Sequence, residues 1–160
     1  MAANQRLFAP NADGTLIDAT NRRVLAELQA DARVSFAELG RRVGLSAPAV
    51  AERVQRLEQA DVITGYRAEI DPRALGYPLQ AIVRVRPAAR QIPKVAELAQ
   101  QMPEVVECER ITGDDCFFLR VHLRSVEHLE EVIDRLVLFG QTTTSIVHSA
   151  PVPRRALPLA

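Results

Sequence analysis

The chain has 160 residues, a formal net charge of zero, and charged and hydrophobic shares of 25% and 48%. This composition is typical of a soluble globular protein with one large or two small domains. It contains no apolar run long enough to cross a membrane, and its charge is less basic than that of a strong non-specific nucleic-acid binder.

The first 15 residues are predicted to be a flexible tail. They lack both the apolar core and the basic lead-in of a secretory signal. We therefore expect a cytoplasmic protein with no membrane partner.

Residues 35–48 contain the sequence signals for one helix that begins and ends and for a second helix that begins directly after it. Ser35 with Glu38 forms a capping box. Gly44 then occupies the position where helices commonly end in a left-handed residue. Ser46 can cap the next helix, and Pro48 lies in its first turn, where a missing N–H costs little.

Two helices joined in this way are typical of a helix-turn-helix, whose second helix enters the major groove of DNA. Val50, Val54 and Leu57 form the inward stripe of that helix. A plain helical bundle with a solvated polar face remains the alternative. With a preceding helix capped by Asp18, the pattern predicts a DNA-binding domain over residues 16–61. Its predicted DNA contacts are Ser46, Ala47, Pro48, Ala49, Glu52, Arg53, Gln55 and Arg56.

Residues 62–77 are predicted to be a linker. Apolar residues between Val62 and Ile70 indicate a short strand, and Asp71-Pro72 is a turn signal. This segment separates the helical domain from a region with a different periodicity.

The second domain is predicted over residues 78–160. Alternation and helical spacing give the order βαββαβ, which is a ferredoxin-like sandwich with four antiparallel strands and two helices on one face. The fold class is therefore α+β, with an N-terminal helix-turn-helix (winged-helix-like) domain and a C-terminal ferredoxin-like domain. The predicted strands are residues 79–86, 105–111, 116–123 and 142–152.

The hairpin between the second and third strands has a predicted register. If Ile111 lies opposite Cys116, alternation places Val106 on the helix-packed face and Val105 on the open face.

The same register pairs Glu107 with Arg120 across the two strands. Ile82 and Phe118 lie on this open face as well. Apolar side chains among paired charges favour a homodimer interface over a solvated face.

Several short motifs occur in a fixed order along the chain: Gly44-Leu-Ser46, Val62-Ile-Thr-Gly-Tyr66, Ile111-Thr-Gly-Asp114 and Thr142-Thr-Thr-Ser-Ile146. Together they resemble the Lrp/AsnC (feast/famine) family of bacterial and archaeal transcription regulators, over residues 16–159. The resemblance implies a sequence-specific DNA-binding regulator that forms homodimers and assembles into a higher oligomer, often an octamer. It also implies an amino acid or related small effector bound between dimers.

The resemblance places the effector around one loop and the start of the last strand. An amino acid needs an anion for its ammonium and N–H or O–H donors for its carboxylate. Members commonly have an acidic residue and then an aromatic residue three and four positions after the loop glycine, where this chain has Cys116 and Phe117. Asp114 and Asp115 also suit a simple turn. The implied contacts are Gly113, Asp114, Asp115, Cys116, Gln141, Thr142, Thr143 and Thr144.

The alternative function is an oligomeric ferredoxin-like binding protein or enzyme that reads no DNA. The sequence has no nucleophile–histidine pair at a recognisable spacing, no metal-ligand spacing and no glycine-rich phosphate loop. We therefore predict no catalytic activity, no metal and no cofactor. The predicted partners are double-stranded DNA, an amino acid or related effector, and further copies of the chain.

Overall fold

A computed structural model describes residues 16–159, which form two compact units. The first contains residues 16–68 and 154–159, and the second contains residues 69–153. The predicted tail over residues 1–15 lies outside the described residues. Among the helices between residues 16 and 159, none has the length and apolar character needed to span a membrane.

The first unit is built from three helices: α1 (Ala19–Ala30), α2 (Phe36–Val43) and α3 (Ala47–Gln59). The predicted caps are confirmed, because the side chains of Asp18, Ser35 and Ser46 each accept a backbone N–H three residues on. Gly44 ends α2 in the left-handed conformation, with φ 76°.

The helices of the first unit enclose one apolar cluster. The stripe predicted for α3 is confirmed, since Val50, Val54 and Leu57 are all buried. Val62 and Ile63 pack against the same cluster, and their N–H groups donate to the Leu57 carbonyl at 2.9 and 3.1 Å. The cluster is completed by Val24, Leu25, Leu39 and Val43.

The strand predicted between Val62 and Ile70 is wrong for this chain. Residues 64–71 belong to no helix or strand. A strand needs a neighbour to pair with, and the paired strands among residues 16–159 all belong to one sheet in the second unit.

The second unit confirms the βαββαβ order. After a short 3-10 turn over Pro72–Leu75, its elements are β1 (Leu79–Pro87), α4 (Ile92–Gln101), β2 (Val105–Arg110), β3 (Phe117–Leu123), α5 (Val126–Val137) and β4 (Gly140–Ile146). The strands form one antiparallel sheet in the order β2-β3-β1-β4.

One face of the sheet forms the core with α4 and α5. Its strands contribute alternate residues such as Val83, Val85, Leu119 and Val121, which are all fully buried. The opposite face, which α4 and α5 do not cover, carries the intervening side chains of β1 and β3, including Ile82, Arg84, Phe118 and Arg120.

A β-bulge corrects part of the predicted hairpin register. The Ile111 N–H donates to the Cys116 carbonyl at 2.9 Å, as predicted. An irregularity between Val105 and Glu107 then makes Val105 the partner of Val121. The extra residue of the bulge shifts every residue before it by one position. Val105 therefore packs against the core, whereas Val106 is exposed, which reverses the predicted faces.

The last strand is shorter than predicted and starts earlier. Pairing with β1 runs from Gly140 to Ile146, and the Val147 N–H donates to the Gln80 carbonyl at 2.9 Å. Because β1 begins at Leu79, residues 149–152 have no β1 residue opposite them.

The boundaries of the two units differ from those of the predicted domains in the linker and at the C-terminal end of the described chain. The division falls at residue 68, inside the predicted linker over residues 62–77. Residues 154–159 belong to the first unit, although the sequence places them in the second domain. The reason is local, because Leu159 packs against the apolar cluster of the three helices.

Candidate DNA-binding and effector sites

The turn between α2 and α3 depends on a close backbone approach at Gly40. The Leu45 N–H donates to the Gly40 carbonyl at 2.9 Å. A Cβ at Gly40 would lie 2.5 Å from the Leu45 carbonyl oxygen. Glycine at this position therefore lets the two helices cross closely.

The outward face of α3 carries most of the predicted DNA contacts. Ser46 caps the helix, Pro48 is exposed in its first turn, and Gln55 is exposed further along. Glu52 and Arg56 are exposed and form an ion pair with each other at i, i+4 spacing. Either side chain can leave such a surface pair for a ligand at little cost. Ala47 and Ala49 are partly buried and leave the N-terminal turn narrow.

Arg53 is placed differently from the other predicted contacts. Its Nη1 donates to Asp18 Oδ2 and to Asn21 Oδ1, both at 2.9 Å. The Asn21 backbone N–H and then the Arg53 side chain hold the pKa of Asp18 below its usual value. Arg53 therefore ties α3 to the start of α1 within the domain.

A groove beside α3 brings four of the predicted residues together. It is lined by Ala49, Glu52, Arg53 and Arg56, together with the start of α1 and Leu45. Asn21 is the buried polar residue of this region, and its Nδ2 donates to the Leu16 carbonyl at 2.7 Å. Asn21 is not predicted as a site residue from the sequence, because an asparagine inside an amphipathic helix has no distinctive local signal.

The predicted effector loop lies beside two arginines of β1. Arg86 Nη2 is 2.9 Å from Asp114 Oδ2. The Asp115 carboxylate lies 3.6 Å from Arg84 Nη1 and 3.9 Å from Arg86 Nε. The effector prediction did not include these two arginines, although their i, i+2 spacing in a strand places them on one face.

The register of β4 divides its four predicted residues between the two faces of the sheet. Gln141 pairs with Arg86 and Thr143 pairs with Arg84, which places both on the open face beside the arginines.

The other two threonines lie on the helix-packed face. Thr142 pairs with Val85 and Thr144 pairs with Val83, and both valines are fully buried in the core.

Two glycines shape the backbone around this site. A Cβ at Gly140 would lie 2.2 Å from the Arg86 carbonyl oxygen, so glycine lets β4 begin directly against β1. Gly113 has φ 115°, which glycine adopts readily. Cys116, at the end of the same loop, packs against the core of the second unit.

Both units match described protein domains. Residues 17–58 match the AsnC-type helix-turn-helix domain, and residues 80–157 match the Lrp/AsnC ligand binding domain. The two matches cover most of the chain, in the order that the sequence predicts.

Relatives over nearly the full length support the same family. The chain is 33% identical to the transcriptional regulator LrpC of Bacillus subtilis over 133 residues, which are 83% of this chain and 92% of LrpC. It is 31% identical to the regulatory protein AsnC of Escherichia coli over 148 residues, 89% and 97% of the two chains.

A solved structure has the same fold. A feast or famine regulatory protein from M. tuberculosis, complexed with L-methionine, aligns with a TM-score of 0.82 and 32% identity over 89% of this chain and 99% of its own. The helix-turn-helix, the ferredoxin-like unit and these relatives agree, and the chain belongs to the Lrp/AsnC family of transcriptional regulators.

Proposed function

We propose that this regulator reads DNA with the outward face of α3 and senses a free amino acid beside the loop over residues 113–116. The observation that supports the DNA part is a capped helix whose exposed side is polar, within the matched AsnC-type domain. The amino acid part is supported by opposite charges gathered at the loop.

Within α3 we assign the exposed side chains of Glu52, Gln55 and Arg56 to DNA. Gln55 can donate and accept at base edges, and Arg56 can bind a phosphate or a guanine. Arg53 has a positioning role, since its guanidinium is already bound by Asp18 and Asn21.

Binding to fragments of the protein's own upstream region, titrated with salt, tests this assignment. Arg56→Ala is expected to weaken binding to all sequences and to make the salt slope shallower by about one unit. Gln55→Ala and Glu52→Ala are expected to change sequence preference instead. Gln59→Ala, near the end of α3, is the control. An affinity for DNA that depends on neither the salt concentration nor the DNA sequence would support the alternative, a ferredoxin-like binding protein or enzyme that does not read DNA.

The effector that suits the loop is a zwitterion. Asp114 and Asp115 offer anions for an ammonium, and Thr143 and Gln141 offer donors for a carboxylate on the same face. The methionine complex of the M. tuberculosis neighbour supports the class of ligand.

Calorimetry with the twenty free amino acids tests the sensor. At least one is expected to bind, and Asp115→Asn is expected to weaken it. Thr142→Val serves as the comparison, because Thr142 lies on the helix-packed face. A panel without a single binder would refute the sensor proposal.

We further propose that the open face of the sheet forms a homodimer and that dimers assemble further. Ile82 and Phe118 are only partly buried within one chain, and the Glu107–Arg120 ion pair (2.9 Å) lies beside them. Phe118→Arg is expected to lower the solution mass to that of one chain, whereas Val106→Arg on the edge strand is not. An unchanged mass for Phe118→Arg would exclude this face.

A regulator that binds DNA and a metabolite needs no catalytic group, and we propose a cytoplasmic, non-enzymatic role. Among residues 16–159 no three His, Cys, Asp or Glu side chains come together as a metal site.

A further inference from the structure

Arg84 and Arg86 of β1 lie beside the two acidic residues of the effector loop. We infer that Arg84 and Arg86 bind the α-carboxylate of the effector while Asp115 binds its ammonium, so that the site selects free α-amino acids. This inference rests on the proposed amino acid sensor and adds the residues that determine its specificity.

The arginines adjoin both parts of the proposed effector site. Arg84 and Arg86 lie on the strand between β3 and β4, so they adjoin the loop that precedes β3 and the first residues of β4. Gln141 and Thr143 lie opposite them and can add neutral donors. Arginine binds a carboxylate through two parallel N–H groups, which a hydroxyl cannot do.

The two acids are not equivalent partners for an ammonium. Asp114 is 88% exposed and already within 2.9 Å of Arg86. Asp115 is only 23% exposed, and its oxygens are 3.6 and 3.9 Å from the arginine nitrogens. These distances are too long for hydrogen bonds, so the Asp115 carboxylate still has acceptor capacity for a donor placed beside it.

Charge balance restricts the class of ligand. The four side chains carry two positive and two negative charges, so the cluster is neutral. A zwitterion keeps the cluster neutral. Its carboxylate can replace an aspartate as the partner of an arginine, and its ammonium can replace an arginine as the partner of Asp115. A 2-oxo acid adds an anion without an ammonium for Asp115, and an amide offers the arginines no carboxylate.

Calorimetry on the full chain tests the inference with three related ligands. The amino acid of the twenty-member panel that binds the unmodified protein is compared with its α-amide and its 2-oxo acid. The unmodified protein is expected to bind each analogue at least about tenfold more weakly, because one charge-assisted contact is lost.

Arginine variants then separate specificity from folding. Arg86→Gln and Arg84→Gln are expected to weaken the amino acid about tenfold, and the ratio between amino acid and amide should fall toward one. Arg86→Lys should recover part of the ratio. Lys94→Gln on α4 removes the same charge away from the site and should leave the ratio intact. Both arginine side chains are about half exposed in a single chain. Because Arg84 also lies on the face proposed to form the homodimer, thermal unfolding and solution mass together show that each variant folds and keeps the oligomeric state of the unmodified protein.

The outcomes separate the two proposals. If an amino acid binds and the ratio is the same in Arg84→Gln, Arg86→Gln and Lys94→Gln, the arginine assignment is overturned and the sensor stands. If no amino acid binds the unmodified protein, the sensor and the arginine assignment both fall.

Discussion

Position 40 of the helix-turn-helix accepts a hydrogen as its side chain but has no room for the methyl group of alanine. Gly40 has an ordinary helical conformation, so the constraint comes from its surroundings: the Leu45 carbonyl oxygen would lie 2.5 Å from a Cβ. Gly40→Ala is expected to lower the free energy of unfolding of the first unit by about 1–3 kcal/mol through forced separation of α2 and α3. Urea denaturation of the full chain measures this.

Gly44 provides the matched control for that substitution. Its φ of 76° is left-handed, but nothing lies within 4 Å of a Cβ there. Asparagine tolerates this conformation, so Gly44→Asn is expected to cost less than Gly40→Ala. The reverse order of stabilities would contradict the close approach at Gly40.

Glu38 makes the first unit sensitive to acid. Hydrogen bonds from Arg41 and then Arg42 lower the pKa of its carboxyl from 4.5 to about 2. A carboxyl whose pKa is lower in the folded state stabilises the protein above its unfolded pKa, and this contribution is lost as the pH falls from 4.5 toward 2.

We therefore expect Glu38→Gln to lower the urea midpoint near neutral pH, and the difference from the unmodified protein to shrink as the pH falls from 4.5 toward 2 and to close below that, where Glu38 is itself protonated. Glu130→Gln, an exposed carboxyl variant in the second unit, is the control for a general change in charge. A gap between Glu38→Gln and the unmodified protein that stays constant with pH would argue against these ion pairs.

At the scale of elements, local signals were predictable and pairings between distant segments were not. Ser35, Gly44 and Ser46 act within three or four residues of their own positions, so their helix boundaries could be read directly. The bulge before Glu107 and the end of β4 depend on which residues lie opposite, and alternation alone does not contain that information.

The effector site was predictable in part for the same reason. The loop over residues 113–116 and the start of β4 could be marked from a family resemblance. The partnership of Asp114 and Asp115 with Arg84 and Arg86 requires the β1 register, which no local pattern supplies.

At the contacts between helices, Arg53 and Arg56 are expected to have different roles although both lie on α3: Arg53 stabilises the domain, and Arg56 binds DNA. Arg53→Ala leaves the buried Asn21 Oδ1 without this donor and breaks the ion pair with Asp18, so we expect a loss of about 1–2 kcal/mol in unfolding free energy. Arg56→Ala removes only a surface pair and should change stability by less than about 0.5 kcal/mol.

Paired measurements of stability and DNA affinity distinguish the two roles. Arg53→Ala should mainly reduce thermal stability, whereas Arg56→Ala should reduce DNA affinity and leave thermal stability nearly unchanged. Equal losses of stability in both variants would contradict a bracing role for Arg53.

At the scale of the whole molecule, the first unit is assembled from both ends of the described chain. Leu159 packs against the cluster formed by the three helices, whereas Leu157 is 79% exposed. Leu159→Ala is expected to lower the thermal stability of the first unit by about 1 kcal/mol and to leave the second unit unchanged. Leu157→Ala is the matched control and should change neither. Equal effects of the two substitutions in calorimetry would show that the cluster does not depend on this end of the chain.

The placement of Leu159 also has a kinetic consequence. Leu16 and Leu159 contact the same cluster, and the whole second unit lies between them in the sequence. The entropy cost of closing a loop rises with the number of flexible residues in it, so a folded second unit, which leaves fewer flexible residues between the two ends, lowers that cost. The last step in refolding of the first unit should therefore follow folding of the second unit. Stopped-flow refolding of a variant destabilised in the ferredoxin-like core tests this. The helical unit is expected to complete its folding more slowly in that variant, although none of its own residues has changed.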